Sequence, residues 1–432
     1  METSKKNYAL PIAMMFALFF MIAFVTGLQN PLGLIVKEQF SLGNLGSQLP
    51  TFANFLAYAF FGLPAGYLLQ KIGYKKTALT AIGVGITGVL IMFISSLIVG
   101  TVMSTFYIYL FGAFVSGIAM CMLNTVVNPM LNTLGGGGNK GNQLIQFGGS
   151  CNSIAATIAP VLGGYLIAGA IGPRSISNAA PIFYVALAVF ALTFIVLSTV
   201  NIPEPRLNSI SKDKNDKHSP LSFRHFILGA IAIFIYVGVE VGIPNIANLF
   251  MTSEIGKGGL AMDQTIAGSV VGTYWFLMLI GRLIGASIGA KFSSKSMLTV
   301  VSSSGIVLVL LAILLPTNIS LNMPVFQSDI SFGIAQVPIG IMFLVLCGLC
   351  TSIMWGGIFN LAVEGLGKYT EAASGIFMLM VCGGGILPLI QGGLADITSY
   401  ISSYWIIVAG LLFILYYAQL GHKNINTDIQ TK

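Results

Sequence analysis

Long apolar stretches recur from one end of this chain to the other, and each has the length that crosses a bilayer as a helix, roughly 20 residues. They fall at 8–34, 48–69, 77–99, 104–133, 143–169, 180–200, 223–250, 266–290, 297–315, 334–363, 371–394 and 400–419. These runs are continuous, not ten-residue alternations of apolar and polar residues, so a transmembrane barrel is excluded. Between them the chain has little to keep a soluble body in water. Its 432 residues include 20 basic and 13 acidic ones, 8% in all, where a soluble domain carries about a quarter. The mean hydropathy of +0.89 agrees. A water-soluble enzyme, a disordered chain and a coiled coil are all ruled out. The reading is an all-α polytopic membrane protein of twelve transmembrane helices. The N-terminal apolar run lacks a small-residue cleavage site and is read as a retained helix.

The basic residues give the bundle a direction. With both termini on one side, that side receives sixteen of them: Lys5, Lys6, Lys71, Lys75, Lys76, Lys140, Arg206, Lys212, Lys214, Lys217, Arg224, Lys291, Lys295, Lys368, Lys423 and Lys432. The other side receives Lys37, Arg174 and Lys257, and Arg282 lies inside a span. Positive charge collects on the cytoplasmic side, so both termini are expected there. No basic stripe with interleaved aromatics suggests nucleic acid as a partner.

The longest polar stretch, 201–223, separates six spans from six. This divides the chain into an N-terminal bundle (1–200), a cytoplasmic linker (201–222) and a C-terminal bundle (223–432). The halves echo each other. Asn128 to Gly135 ends the fourth span as Asn360 to Gly367 ends the tenth, and Pro160 before Gly163-Gly164 matches Pro388 before Gly392-Gly393. A duplicated six-plus-six bundle is the plan of secondary transporters, whose halves rock about a central site. Gly383-Gly384-Gly385 followed by Pro388 predicts a bend in the eleventh span.

Polar side chains inside spans are costly, and they default to the bundle interior. Glu240 stands out in the middle of the seventh span, where a carboxyl must be protonated, paired or bonded by a ligand; Arg282 is a candidate structural partner. Around it come amides: Gln29, Asn30, Asn124, Asn128, Gln146 and Asn152 in the first half, and Asn245, Asn360 and Gln391 in the second. Trp355 adds an aromatic face. Amides supply donors and acceptors for hydroxyl groups without demanding a charged ligand, and a sugar ring offers hydroxyl edges and a C–H face. For each single amide, a bond between helices is the competing explanation. Cys347 and Cys350 form a CxxC with no metal-binding or redox partner nearby, and are read as packing. No ATP-binding loop, dinucleotide fingerprint, zinc motif or Ser/His/Asp set occurs, so neither cofactor nor enzyme is expected. The energy source is a gradient or nothing.

Several of these stretches resemble a known family. Gly66-Tyr-Leu-Leu-Gln-Lys-Ile-Gly-Tyr-Lys-Lys76 resembles the loop 2–3 signature of the major facilitator superfamily, with Gln70 where that signature has Asp. Phe24–Pro31, Leu123–Pro129, Tyr236–Gly242 and the pattern from Ser352 through Ala373-Ser-Gly to Asp396 are similar to the bacterial fucose/glucose/galactose:proton symporter family. The resemblance implies sugar transport by alternating access, with an inner gate that includes Gln70, Lys71, Lys75 and Lys76. It also sets departures in relief. The family's coupling Asp in helix 1 falls on Asn30, its helix 4 Glu on Asn124, and its helix 5 Gln on Gly149, with Gln146 one turn away. An amide does not exchange protons, so coupling would pass to Glu240.

The sequence reading is thus a bacterial inner-membrane protein, lying in the lipid bilayer as a monomer. It would import a hexose or deoxyhexose together with a proton or sodium ion. An uncoupled facilitator, an exporter of drugs or lipids, and a membrane sensor that does not transport remain open beside it.

Overall fold

The computed structural model describes residues 8–98, 103–135, 138–168, 176–204, 218–288, 292–327, 331–426 and 429. Most of the linker and both extreme termini lie outside this set. So do the side chains of Gln29, Asn30, Gln70 and Gln146.

The first half runs through α1 (Ala9–Gly27), α2 (Gln29–Gln39), α3 (Asn44–Ser47), α4 (Leu49–Ile72), α5 (Tyr74–Leu97), α6 (Met103–Leu134), α7 (Gly138–Ala168) and α8 (Ala180–Thr199). The second half follows with α9 (Arg224–Thr252), α10 (Gln264–Ile288), α11 (Ser294–Leu314), strands β1 (Ser320–Phe326) and β2 (Phe332–Pro338), α12 (Ile339–Thr351), α13 (Met354–Val363), α14 (Thr370–Met380), α15 (Gly383–Ile397) and α16 (Trp405–Tyr416). Eleven described segments are long and apolar enough to cross a membrane. The twelfth crossing is α7, whose 31 residues reach about 46 Å at 1.5 Å per residue; its amides and glycines lower its hydropathy.

Three crossings are broken. The first parts at Leu28 between α1 and α2, and the tenth at Ser352–Ile353 between α12 and α13. The eleventh parts at Val381–Cys382, just ahead of the glycine triplet and where a bend was expected; Pro388 sits inside α15 without breaking it. One expectation needs correction. The tenth span does not begin at 334, because residues 332–338 form a strand antiparallel to 320–326, with Phe326 opposite Phe332 and Ser320 opposite Pro338. Buried Met323, Val325, Ala335 and Val337 alternate with exposed neighbours, a two-residue period that a helical reading of this apolar stretch overlooks. Among the described residues the fold is all-α apart from this hairpin. It docks on α10 through Phe276, stacked at 5.5 Å on Phe326, and through the Phe326 N–H donated to Thr273 Oγ1 at 2.9 Å.

Within the first half α6 packs on α4 and α5, and α7 on α1; within the second, α9 packs on α15, and α12 on α10 and α11. The halves meet along two seams, α4 against α14 and α15, and α7 against α10. These are the second and eleventh, and the fifth and eighth, crossings, pairs related by the internal duplication. At the first seam backbones touch. A Cβ on Gly385 would lie 2.9 Å from Phe52 Cα, and one on Gly392 would lie 2.8 Å from the Asn44 carbonyl, so small residues set the approach.

Twelve crossings leave the start of α1, the α4–α5 turn, the end of α8, the start of α9 and the end of α16 on one face, called here the terminal face. The opposite, far face carries α3 and the ends of α2, α9 and α15.

Candidate transport site

At mid-depth the second seam holds the site's charges. Arg282, on α10, donates through Nη1 to the Gly149 carbonyl and, at 2.8 Å, to Ser153 Oγ. Both belong to α7 of the other half. Its Nη2 stands 3.6 Å from Glu240 Oε1, with the two side chains only 12% and 14% exposed. Tyr236, one turn back on α9, is close enough to interact with both charges without closing a well-aligned hydrogen bond. From α10, Tyr274 donates to the Glu240 backbone carbonyl at 3.1 Å and lies 3.0 Å from Thr351 Oγ1. Trp355 and Trp275 border the group, 6.3 Å from Tyr236 and 5.1 Å from Tyr274 between ring centres. Glu240 is therefore paired with Arg282, the partner its sequence position suggested, and the pair reaches across to the other half.

The amides of the first half share a pattern. Asn124 Nδ2 donates to Tyr58 Oη at 2.9 Å and to the Met120 carbonyl at 3.2 Å. Asn128 Nδ2 donates to the Asn124 carbonyl at 2.9 Å, and Asn152 Nδ2 to the Phe19 carbonyl at 3.3 Å. All three are half-buried. Asn124 uses both of its amide donors within the half, and Asn128 and Asn152 one each, so the Oδ1 acceptors and one donor of each of the latter two are left to a ligand. Asn152 adjoins Ser153 on α7 and so stands beside the Arg282 contact.

The other site candidates are placed elsewhere. Asn245 is buried and donates to Gln48 Oε1 at 3.1 Å across the halves. Gln391 is fully buried, with neither amide atom hydrogen-bonded. Asn360 is exposed on α13. Gln29 and Asn30 begin α2, and Gln146 lies within α7, but their side chains are outside the described residues.

The far face is closed by bonds between the halves. Lys37 Nζ donates to Asn44 Oδ1 at 2.6 Å, Ser253 Oγ at 3.0 Å and Tyr400 Oη at 3.2 Å. Asp396 accepts the Asn44 and Leu45 N–H groups at 2.7 and 2.9 Å, placing a carboxylate at the start of α3. With the Gln48–Asn245 bond this makes a seal that sequence reasoning missed. Its signal was present in the lone Lys37 near the far end of the first span. On the terminal face, Lys75 Nζ donates to the Ser198 and Val200 carbonyls at 2.9 and 2.7 Å, and Glu204 accepts Tyr74 N–H at 2.7 Å and Lys75 N–H at 3.1 Å. These contacts tie the α4–α5 turn to the end of α8 within the first half. Gln70's side chain is not among those described.

Two duplicated bundles around a mid-membrane ion pair define a membrane carrier. The family model of the Major Facilitator Superfamily matches residues 15–387, and the chain belongs to that superfamily. It is 29% identical to a glucose/galactose transporter of Brucella abortus biovar 1 (strain 9-941), over 98% of this chain and 96% of that one. It is 22% identical to the L-fucose-proton symporter of Escherichia coli (strain K12), over 90% and 88%. Among solved structures, the superfamily transporter FucP in its outward conformation superposes with a TM-score of 0.71 at 21% identity, covering 96% of this chain and 99% of that one; this likeness speaks to the fold.

Proposed function

We propose that this protein imports a hexose or deoxyhexose across a bacterial inner membrane by alternating access, in symport with protons, and works as a monomer. The far face is then the outer one, and the terminal face, with most of the basic residues, is cytoplasmic. The hydrogen-bonded seal at Lys37, Asn44, Ser253, Tyr400 and Asp396 supports a state closed to the outside.

The observation that carries the reading is Glu240. Among the described residues it is the one carboxyl at mid-span, and through Arg282 it is connected to the opposite half. A carboxyl there takes and releases a proton where the halves part and meet, as coupling requires. The wall of Asn124, Asn128 and Asn152 offers oxygen acceptors to sugar hydroxyls, and Trp355 offers a face to the ring's C–H groups. Names borne by relatives, one a glucose/galactose transporter and one a fucose-proton symporter, support the same substrate class.

Uptake into proteoliposomes with proton and sodium gradients imposed separately tests this. A proton gradient is expected to drive accumulation by the wild type, and E240Q to exchange sugar without accumulating it. Accumulation by E240Q would refute the role of Glu240. Accumulation driven by sodium alone would reassign the ion. Equilibration under both gradients would favour a facilitator, the second reading, which the amides at Asn30 and Asn124 support.

A further inference from the structure

Arg282 is more than a counter-ion. It belongs to α10, yet two of its hydrogen bonds go to α7 in the other half, one to the Gly149 carbonyl and one to Ser153 Oγ at 2.8 Å. The space it occupies is kept by the glycine: a Cβ at 149 would already lie 3.5 Å from Nη1, so a longer side chain there would compete with the guanidinium. Both acceptors on α7 are neutral. Among the described residues the carboxylate facing this cation is Glu240, at 3.6 Å. The other titratable groups beside Glu240 are phenols, Tyr236 from its own helix and Tyr274 from α10; α12 adds the Thr351 hydroxyl, 3.0 Å from Tyr274 Oη.

We infer that Arg282 is the residue that makes closure of the two halves depend on what Glu240 and the sugar site hold, so that a proton cannot cross without sugar. This rests on the proton-coupled reading given above. When Glu240 is ionised and no sugar is bound, the pair is electrically neutral and the seam closes, which returns the empty carrier. When Glu240 is protonated and no sugar is present, closing the seam would bury a guanidinium without an anion, which is strongly unfavourable. The carrier then stays open to water. When Glu240 is protonated and sugar is bound, the sugar's oxygens accept from the N–H groups that Glu240 has released. A guanidinium has five donors in a fixed fork, enough to hold α7 and a substrate together. The proton on Glu240 comes from the side to which the site is open and leaves to the other side after sugar departs. No bond other than O–H is made or broken.

Three measurements on the full-length protein in proteoliposomes test this: sugar counterflow, gradient-driven accumulation, and proton leak without sugar. R282M, which takes the guanidinium donors from the sugar, is expected to exchange sugar in counterflow only at raised sugar concentration, to lose about tenfold or more of its accumulation ratio, the scale of a typical coupling free energy, and to leak protons when sugar is absent. S153A removes one of the two acceptors on α7 and keeps the guanidinium, so burying it becomes harder; the variant is expected to slow counterflow without a proton leak while still binding sugar, and binding is read from the fluorescence of Trp275 and Trp355. S153A also serves if R282M does not fold. Wild-type accumulation and no leak in R282M, or a leak in S153A, would overturn the inference and leave the proton-coupled reading intact. Loss of sugar binding in S153A without leak would overturn it too, as a substrate contact alone. A wild type that never accumulates sugar would overturn both, and is told apart because the unmodified protein fails.

Discussion

Replacing Lys37 by Met keeps the length of the side chain and removes the ammonium that joins the first half to Ser253 and Tyr400 on the far face. Three bonds are lost, at 2.6, 3.0 and 3.2 Å. Hydrogen bonds to a charged group contribute about 1.5–3 kcal/mol net, but these three share one half-buried cation and are not additive. Solvent screening lowers the figure further. The Tyr400 bonds to Asn44 and Ser253, at 3.0 and 2.7 Å, stay available. What remains is about 1–2 kcal/mol of seal, a factor of about 5–30 in the ratio of closed to open molecules. Thr51 reports it: the residue is 8% exposed, next to Phe52 where α4 meets Gly385. With a cysteine at position 51 and Cys151 replaced by Ser, labelling by a water-soluble maleimide follows the open fraction. K37M is expected to speed labelling by about the same 5–30-fold. K257M is the control, because Lys257 on the same face pairs only with Glu254 at 3.1 Å, with side chains 68% and 74% exposed. Equal rates in K37M and the parent, or equal acceleration by K257M, would refute the seal.

Two further outcomes follow from local geometry. Glu204→Ala leaves the first N–H groups of α5 without their carboxylate, and is expected to cost about 1 kcal/mol, read as a lower unfolding temperature in detergent with sugar exchange retained. Tyr58→Phe removes the acceptor that orients Asn124 Nδ2 on the wall proposed to face the sugar; sugar affinity is expected to fall about fivefold, roughly 1 kcal/mol, with accumulation at saturating sugar unchanged, as measured by uptake kinetics.

The helix count and the split into halves were legible because hydrophobic length is nearly sufficient to identify a crossing. Glu240 and Arg282 were legible as costly charges in apolar surroundings. Their pairing was suggested, but nothing in the sequence showed that Arg282 also reaches Gly149 and Ser153, since contacts between helices that far apart in sequence depend on the rotation of each helix. The far-face seal was hidden for a related reason. Lys37, Asn44, Ser253 and Tyr400 are ordinary loop-end residues, and only the closed arrangement of the two halves brings them within 3.2 Å. The hairpin at 320–338 was missed because its apolar content was taken up by the neighbouring helix, although Pro338 and the alternation around Met323 and Ala335 mark a strand. Gln391 was expected in the site as a polar residue at depth; its burial follows from Gly242 and Gly392 on either side, which let α9 and the Asn44 carbonyl approach.

The bare backbone contact of α15 with α3 and α4 also acts as a ratchet on sequence change. A glycine at 66 or 83 has open space where its side chain would be, so drift there is cheap. At 385 and 392 the first carbon added is a doorstop: it lands between the halves and holds one face ajar. Such a variant would fold, insert and bind yet never complete a turnover. The missing methyl at either position would therefore give an experimenter a way to trap the carrier in one posture.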